Sequence, residues 1–406
     1  MIISQMLLGQ LSRNGGKCAI RFLGKDISYR ELVKTVARLS YLFQKEIGTR
    51  KRIAIVGSNS PATVAAFLAL SNNRSITIPV DPAVSDDEIH DWIYNTNATH
   101  VMATTDQLTR VTDIIRRRGL ALAVIDFERK HGGEYATSYV PPADNPPAET
   151  DPILILRAAQ TPDTQGIPKY ALFSHVQVHG AVMALKRFYQ VKGSDSFMTT
   201  MNWAHPFALS HGMLFPILSG ATCVVYHGVG VSEFHDFLSA AKVSRLIDTS
   251  TFLSELALVC KNADRRPGVV HSITVGLGTL QPASHEIYSL MNISVSSCYG
   301  QVENLWTICM GDVVSARGLT GLQYKVLDEN GDTIEGNGLR QGQLAVSGPT
   351  VMLRYSGRTE ASDDEIQRQS TKRVIRGTWL HTGDIFKLEG SGEDLKLSFV
   401  KRRDAR

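Results

Sequence analysis

Residues 52–70 read RIAIVGSNSPATVAAFLAL. Residues 52–57 form an apolar run of strand length, and the polar turn after it offers Ser60 as a helix cap and Pro61 as the first helical residue. A buried strand that leads through a short turn into an apolar helix is the start of a β-α-β unit. This stretch therefore predicts a parallel sheet covered by helices.

The same alternation of strand and helix patterns continues along the chain. A strand pattern at 75–81 precedes a helix pattern in which Ser85 and Glu88 have capping-box spacing. The proline-rich stretch 140–151 interrupts the alternation, which then resumes. We therefore expect an α/β fold of doubly wound β-α-β subdomains.

The last quarter of the chain has a different pattern. Short strand runs replace the β-α alternation after about residue 316, and Asn330-Gly331 has the composition of a tight hairpin turn. We therefore expect a small β-rich subdomain at the C-terminal end. The predicted divisions are a first α/β subdomain at 1–150, a second at 151–315 and the β-rich subdomain at 316–400.

The composition argues against several classes of protein. The chain has 406 residues, with 43 Lys and Arg against 39 Asp and Glu, and no basic run interleaved with aromatic residues, so nucleic-acid binding is not expected. The five cysteines lie far apart without a C-x-x-C pair, which argues against a disulfide framework or a structural zinc site. No apolar run has the length of a membrane span, and we expect a cytoplasmic protein.

Residues 158–175, AAQTPDTQGIPKYALFSH, stand where a phosphate-binding loop is expected. They follow an apolar strand and precede a helix pattern that begins near His175. The stretch has threonines, Gly166 and Lys169, but Pro162 and Asp163 occupy positions where a flexible loop carries small residues. An ordinary surface turn is the alternative interpretation.

The order of several motifs resembles that of the adenylate-forming superfamily, which includes acyl- and aryl-CoA ligases, nonribosomal peptide synthetase adenylation domains and luciferases. The motifs are ISYREL (27–32), the loop at 161–169, YGQVE (299–303), GQLAVSGPTVMLRY (342–355), WLHTGD (379–384) and KRRD (401–404). The resemblance implies that ATP is joined to a carboxylate, and that the acyl group then passes to a thiol.

Within the loop, the resemblance implies contacts to the phosphates of ATP. The positions that match the family pattern T-S-G-T-T-G-x-P-K and are assigned to nucleotide binding are Thr161, Thr164, Gly166 and Lys169. Lys169 would steady the phosphates during catalysis. The departures are Pro162, Asp163 and Gln165, and they imply fewer donors than in relatives because proline has no N–H group.

The YGQVE motif implies a second part of the nucleotide site. Tyr299 would pack on adenine, Gly300 would line the site, and Glu303 would be the catalytic Mg²⁺ ligand. Val302 stands where the family has a threonine that reaches the α-phosphate. A solvated carboxylate is the alternative for Glu303.

The C-terminal motifs imply contacts to the ribose. Asp384 would hold both ribose hydroxyls, Arg402 would add a ribose or phosphate contact, and Asp404 would be the hinge residue. A turn-capping aspartate is the alternative for Asp384, and an exposed chain end is the alternative for Arg402 and Asp404. Residues 401–406 would be the remnant of a hinge, so we expect the family's mobile C-terminal domain to be absent and turnover to be poor.

The acyl pocket is the least defined part of the resemblance. Gly276 and Gly278 would allow a close backbone approach to the acyl group and adenine. The other pocket positions, by register, are Phe207, Leu209 and His211. Phe207 stands where domains that activate amino acids place an aspartate, which argues against an ordinary α-amino acid.

The sequence thus predicts an ATP- and Mg²⁺-dependent carboxylate ligase of the AMP-forming, acyl- or aryl-CoA synthetase type. The acceptor would be the thiol of coenzyme A or of the phosphopantetheine on an acyl or peptidyl carrier protein. The alternative is a non-catalytic relative that binds a small molecule or docks a partner; the altered loop and Val302 favour it, whereas Lys169, Glu303 and Asp384 argue against it.

Overall fold

The computed structural model describes residues 1–127, 147–158, 168–228, 230–312, 315–336, 338–356 and 363–402. The α-helices in these ranges are α1 Ile3–Asn14, α2 Tyr29–Glu46, α3 Pro61–Asn72, α4 Asp86–Asn95, α5 Leu108–Arg117, α6 His175–Tyr189, α7 Phe215–Ser219, α8 Val231–Ala240, α9 Ser250–Asn262, α10 Pro282–Leu290 and α11 Asp363–Val374. In this part of the chain, no helix is both long and apolar enough to cross a bilayer.

The strands belong to two sheets. They are β1 Cys18–Phe22, β2 Lys25–Ser28, β3 Arg52–Val56, β4 Ile76–Val80, β5 His100–Ala103, β6 Ala123–Asp126, β7 Pro152–Ala158, β8 Lys169–Ser174, β9 Ser196–Thr199, β10 Thr222–Val225, β11 Arg245–Thr249, β12 Ser272–Gly276, β13 Ser294–Tyr299, β14 Cys309–Gly311, β15 Ala316–Gly318, β16 Gln323–Leu327, β17 Arg340–Ser347, β18 Arg354–Tyr355, β19 Ile375–Arg376, β20 Trp379–Glu389 and β21 Lys396–Arg402.

The smaller sheet contains the β-α unit predicted from residues 52–70. Its strand order is β18-β8-β7-β4-β3-β5-β6, and β3 is paired in parallel with both β4 and β5. Ser60 caps α3 by accepting the N–H of Thr63 at 3.1 Å, with Pro61 as the first helical residue, as predicted. The predicted capping box of Ser85 and Glu88 is also present at the start of α4.

The larger sheet combines a parallel half and an antiparallel half. Its order is β16-β17-β20-β21-β15-β14-β13-β12-β11-β9-β10-β1-β2, with β19 added on β20. The strands from β1 through β13 in this order are parallel, and the pairing becomes antiparallel where β14 joins β13. Strand β13 thus lies at the change in pairing, and ligand sites in open α/β sheets favour the carboxyl ends of parallel strands such as β12 and β13.

The two sheets exchange strands across the subdomain boundaries expected from the sequence. Strands β1 and β2 join the larger sheet, whereas β7, β8 and β18 join the smaller one. The boundaries at 150 and 315 stay a prediction. The α/β fold is confirmed, and the larger sheet ends in the antiparallel strands expected for the β-rich part.

The hairpin expected around Asn330-Gly331 is shorter than predicted. The turn exists, with Gly331 at φ +92°, and a bridge between Leu327 and Thr333 closes it, together with two backbone hydrogen bonds of 2.9 Å across the turn. Strand β16 instead pairs along its length with β17. The apolar side chains of β17, including Leu344 and Val346, are fully buried in one cluster with Val326 of β16.

Candidate functional site

A cavity of about 990 Å³ lies where the ends of β12 and β13 meet β8, β18, β20 and β21. Of the residues expected from the sequence to bind ATP or Mg²⁺, those that line it are Lys169, Gly278, Tyr299, Gly300, Glu303, Asp384 and Arg402. Thr161, Thr164, Gly166 and Asp404 lie outside the described residues. Segments that are distant in sequence thus meet in one cavity.

Asp384 is the centre of a polar network in this cavity. It lies on β20 and its side chain is only 4% exposed. The hydroxyl of Tyr299 and the amide of Gln301, at 3.0 Å, both donate to Oδ2 of Asp384. Arg402 approaches Oδ1 at 3.3 Å from β21. A carboxylate held by these donors keeps a fixed position at the cavity wall.

Tyr299 contributes a donor rather than a charge. Burial, together with the carboxylate of Asp384, raises the pKa of Tyr299 well above the usual range, so the phenol stays protonated. Its ring packs against Phe386, with centroids 4.8 Å apart. The predicted contact to adenine stays a prediction.

Lys169 and Glu303 form a second polar group, joined by Tyr355. Lys169 begins β8 and is 4% exposed, and its Nζ lies 5.5 Å from the ring centroid of Tyr355. The Tyr355 hydroxyl donates to Oε1 of Glu303 at 2.5 Å. Because β18 pairs with β8, the tyrosine lies beside the lysine strand. The ammonium group of Lys169 therefore lies over the ring of Tyr355, and the carboxylate of Glu303 accepts from its hydroxyl.

Glu303 suits a magnesium ion that also contacts a bound phosphate. Mg²⁺ prefers oxygen ligands and is commonly held by one or two carboxylates together with substrate phosphates and water. Within the described ranges, no group of three or more His, Cys, Asp or Glu could hold a metal by itself. An ion here would therefore depend on Glu303 and on the nucleotide.

Gly300 is required by close packing. A Cβ at this position would lie 2.3 Å from Cα of Trp306, which is backbone and cannot move aside. The chain after Glu303 folds back onto the motif, with the N–H of Trp306 donating to the carbonyl of Gln301 at 2.9 Å. The glycine of YGQVE thus lets Trp306 reach the cavity.

Four predicted acyl-pocket residues lie behind the cavity wall formed by the described residues. Phe207, Leu209 and His211 are fully buried, and the Phe207 ring fills the space where a Cβ of Gly276 would stand, at 2.4 Å. None of the four is among the residues that line the cavity. Their contact with an acyl group stays a prediction; Trp306, which lines the cavity, packs against Phe207 with ring centroids 6.2 Å apart.

His211 is held as a neutral imidazole. Its Nε2 lies 3.1 Å from the carbonyl oxygen of Trp306 and its Nδ1 lies 2.9 Å from the Tyr189 hydroxyl. Burial lowers the pKa of His211 to about 4. The carbonyl accepts, so Nε2 carries the proton and Nδ1 is the acceptor.

The sequence analysis missed Gln301, Tyr355 and Trp306. Gln301 occupies the variable position of YGQVE, and Tyr355 ends the quoted stretch GQLAVSGPTVMLRY, so each was visible without an assigned role. No local pattern pointed to Trp306, because its role depends on a backbone that folds back at positive φ.

Comparisons with known proteins agree with this geometry. The family described as AMP-binding enzyme matches residues 9–356. The chain is 20% identical over 417 residues to nonribosomal peptide synthetase gloA of Glarea lozoyensis, covering 99% of this chain and 6% of that protein. It is 21% identical over 383 residues to feruloyl-CoA synthase of an Amycolatopsis species, covering 92% of this chain and 74% of that protein.

Solved structures show the same fold. The inhibitor-bound N-terminal domain of FACL13 from Mycobacterium tuberculosis superimposes with a TM-score of 0.83 at 17% identity, covering 99% of both chains. The o-succinylbenzoate coenzyme A synthetase of Bacillus subtilis in complex with AMP gives a TM-score of 0.78 at 17% identity, covering 98% of this chain and 78% of that one. The family match spans most of the sequence, and it includes Lys169, Tyr299 and Glu303 of the cavity. The chain belongs to the AMP-binding enzyme family.

Proposed function

We propose that this chain activates a carboxylic acid with ATP, forming an acyl-adenylate, and that the acyl group then passes to a thiol of coenzyme A or of a carrier protein. The observation that carries the proposal is the shared cavity, in which the buried Asp384 network and the Lys169–Tyr355–Glu303 group face one ligand space. Membership in the AMP-binding enzyme family supports activation by adenylation.

Different residues would contact the ribose, the phosphates and the magnesium ion. Asp384 would accept from the ribose hydroxyls, with Arg402 able to turn toward the nucleotide because its side chain is 62% exposed. Lys169 would place its ammonium against the phosphates as their charge rises during attack by the acid. Glu303 would hold Mg²⁺, which would offset part of the phosphate charge.

The reaction itself is an in-line displacement. A carboxylate oxygen of the acid forms a bond to the α-phosphorus of ATP, and the bond to the leaving oxygen breaks to release pyrophosphate. A thiol sulfur then forms a bond to the acyl carbon and releases AMP. The protein contributes mainly position and electrostatic stabilisation, because neither step requires a covalent bond to the chain.

The comparisons give no support to the alternative of a non-catalytic binding module. The two acidic side chains that the ligase reaction would use are also present at the ligand space. Asp384 and Glu303 both line the cavity. Which acid is activated, and whether coenzyme A or a carrier protein receives it, are the points that a substrate screen must decide.

Calorimetric titration of the chain with AMP, and then with ATP·Mg²⁺, tests the proposal. Asp384→Ala removes the central carboxylate, and Asp384→Asn keeps its shape if the alanine variant unfolds. We expect either change to weaken AMP binding about 10- to 100-fold, since a hydrogen bond to a charged group contributes about 1.5–3 kcal/mol. Asp91→Ala is the matched control, because that side chain is 62% exposed and outside the cavity.

Binding by the unmutated chain and its loss in the Asp384 variants would justify a screen of carboxylic acids by pyrophosphate exchange. If the unmutated, folded chain bound neither AMP nor ATP·Mg²⁺, the proposed function would be wrong. Equal weakening in Asp91→Ala would show that the effect is not specific to the site.

A further inference from the structure

Strand β13 separates two sides of the cavity. Successive side chains of a strand point to opposite faces, so Cys298 and Tyr299 face different surroundings. Tyr299 faces Asp384 and Phe386, the side assigned above to the nucleotide. Cys298 faces the other side, where its Sγ lies 3.4 Å from the carbonyl oxygen of Trp306. Because the Tyr299 side is assigned to the nucleotide, the Cys298 side is the one available to the acid.

Trp306 forms the inner wall of that side. Its indole lines the cavity and packs against two rings behind it, with centroids 5.1 Å from His205 and 6.2 Å from Phe207. The backbone holds it there in an uncommon conformation, since Leu305 and Trp306 have φ values of +56° and +58°. Such values are uncommon for residues other than glycine and persist where surrounding contacts fix them.

The space behind Trp306 is filled. Phe207 and His211 are fully buried, and Phe207 occupies the place that a Cβ of Gly276 would take. His211 is fixed by Tyr189 on one side and by the carbonyl of Trp306 on the other. Among the described residues, the cavity therefore stops at the indole, and a long acyl chain has no path in this direction.

The lining on this side carries no charge. The described cavity-lining residues in the range 277–300 are all neutral, and so is Trp306. The nearby acidic residue Asp248 is buried in the sheet, where it accepts from the N–H of Thr200 at 2.7 Å and lies outside the cavity lining. A substrate with an ammonium group or a second carboxylate would lose its hydration here without gaining a partner of opposite charge among these residues.

From these contacts we infer that Trp306 limits the acyl compartment, and that the activated acid is compact and uncharged apart from its reacting carboxylate. A short aliphatic acid or an acid with a single aromatic ring fits this description. The inference rests on the proposed function, because it takes the Asp384 side as the nucleotide end. Trp306 is a specificity-determining residue in this account.

Stable analogues of the acyl-adenylate test the inference without requiring turnover. Acetyl, benzoyl, glycyl and dodecanoyl groups joined to adenosine through a sulfamate are titrated into the chain by calorimetry, beside AMP. We expect the acetyl and benzoyl analogues to bind at least about tenfold more tightly than the dodecanoyl analogue, as pocket size discriminates by this order. The glycyl analogue should bind more weakly than the acetyl analogue, because of its ammonium group.

Trp306→Ala should relax the size limit. We expect this variant to improve dodecanoyl binding relative to acetyl binding by about tenfold or more, with AMP affinity unchanged within about threefold. Trp306→Phe should give an intermediate preference, and it serves if the alanine variant does not fold. Trp379→Ala is the matched control, since Trp379 lies on β20 under Lys325 and does not line the cavity.

Two outcomes would overturn the inference. One is dodecanoyl binding by the unmutated chain that equals benzoyl binding. The other is a folded Trp306→Ala or Trp306→Phe chain with an unchanged order of affinities. Failure of the unmutated chain to bind AMP or any analogue would instead contradict the proposed function, so the two results are distinguishable.

Discussion

Cys298 and Tyr299 are neighbours on β13, yet the two sides of the strand differ in polarity and in packing. On the Tyr299 side, the buried carboxylate of Asp384 is held by donors, one of which, Arg402, is largely exposed. On the Cys298 side, Phe207 and His211 are packed with no exposure. On the Tyr299 side, a ligand group can replace Arg402 as a partner of Asp384. On the Cys298 side, the packed side chains keep a fixed shape.

The largest expected effect comes from removing an aromatic ring on the Cys298 side. Phe207→Ala should destabilise the chain by about 3–5 kcal/mol, because the buried ring leaves a cavity. Denaturant unfolding measures the loss. If the two sides are independent, AMP affinity of the folded variant should change by less than about twofold. Tyr41→Ala is the control, since that ring is 45% exposed, does not line the cavity and should cost less than about 1 kcal/mol.

Acid pH should also act on the Cys298 side. Burial lowers the pKa of His211 to about 4, and that of His205 to about 4 as well. Below about pH 6.5 the unfolded chain binds protons that the folded chain excludes, so stability is complete above that pH and falls toward pH 4. We expect His211 alone to account for a loss of roughly 2–3 kcal/mol across this window.

Unfolding free energies measured at several pH values check this prediction. His211→Gln should reduce the dependence of stability on pH between about pH 6.5 and 4, because the amide does not titrate there. An identical slope in the variant and the unmutated chain would show that His211 binds protons equally in the folded and unfolded states.

A smaller effect is expected from removing the Tyr355 hydroxyl, which donates to Glu303. Tyr355→Phe removes the hydrogen bond to Glu303 and keeps the ring under Lys169. We expect about 1.5 kcal/mol, or tenfold, weaker binding of ATP·Mg²⁺, with AMP binding in the absence of Mg²⁺ unchanged. Calorimetry with the two ligands separates these effects. Tyr324→Phe controls for the loss of a buried hydroxyl elsewhere, since Tyr324 bonds only to backbone groups in the described structure.

The smallest effect should be a gain. Val302→Thr restores the hydroxyl that the family pattern has at this cavity position. One added hydrogen bond to a phosphate should tighten ATP·Mg²⁺ binding by about 1 kcal/mol, or roughly fivefold. Val302→Ser supplies the same hydroxyl without the methyl group. Tighter binding by neither variant would indicate that the side chain at 302 does not reach the nucleotide.

The parts that the sequence predicted best depend on local chemistry. Ser60 and Pro61 mark the start of α3 because capping is decided by adjacent residues. The turn at Gly331 was also correct, but the hairpin around it is short, and the long pairing of β16 is with β17. Local turn signals indicate where the chain bends, and they do not determine which strand becomes the neighbour.

The functional site shows the same contrast between local signals and long-range pairing. HTGD pointed to Asp384 as a single residue, but its donors Tyr299 and Arg402 are joined to it only by the pairing of distant strands. The depth of Phe207 and His211 could not be read from spacing, because a register gives a position along the chain and not its distance from the cavity. Trp306 packs between Phe207 and the cavity, and the positive φ of its backbone has no sequence signal.

The exchange of strands between the sheets has a consequence for biosynthesis. Residues of β1 pair with β10, as between Ile20 and Cys223, and residues of β8 pair with β18, as between Ala171 and Tyr355. A ribosome adds about 5–20 residues per second, so these partners emerge roughly 10 to 40 seconds apart. During that interval the apolar edge of β1 is unpaired, and contacts of such long sequence separation fold slowly. The nascent chain should therefore rely on chaperones until both sheets can close.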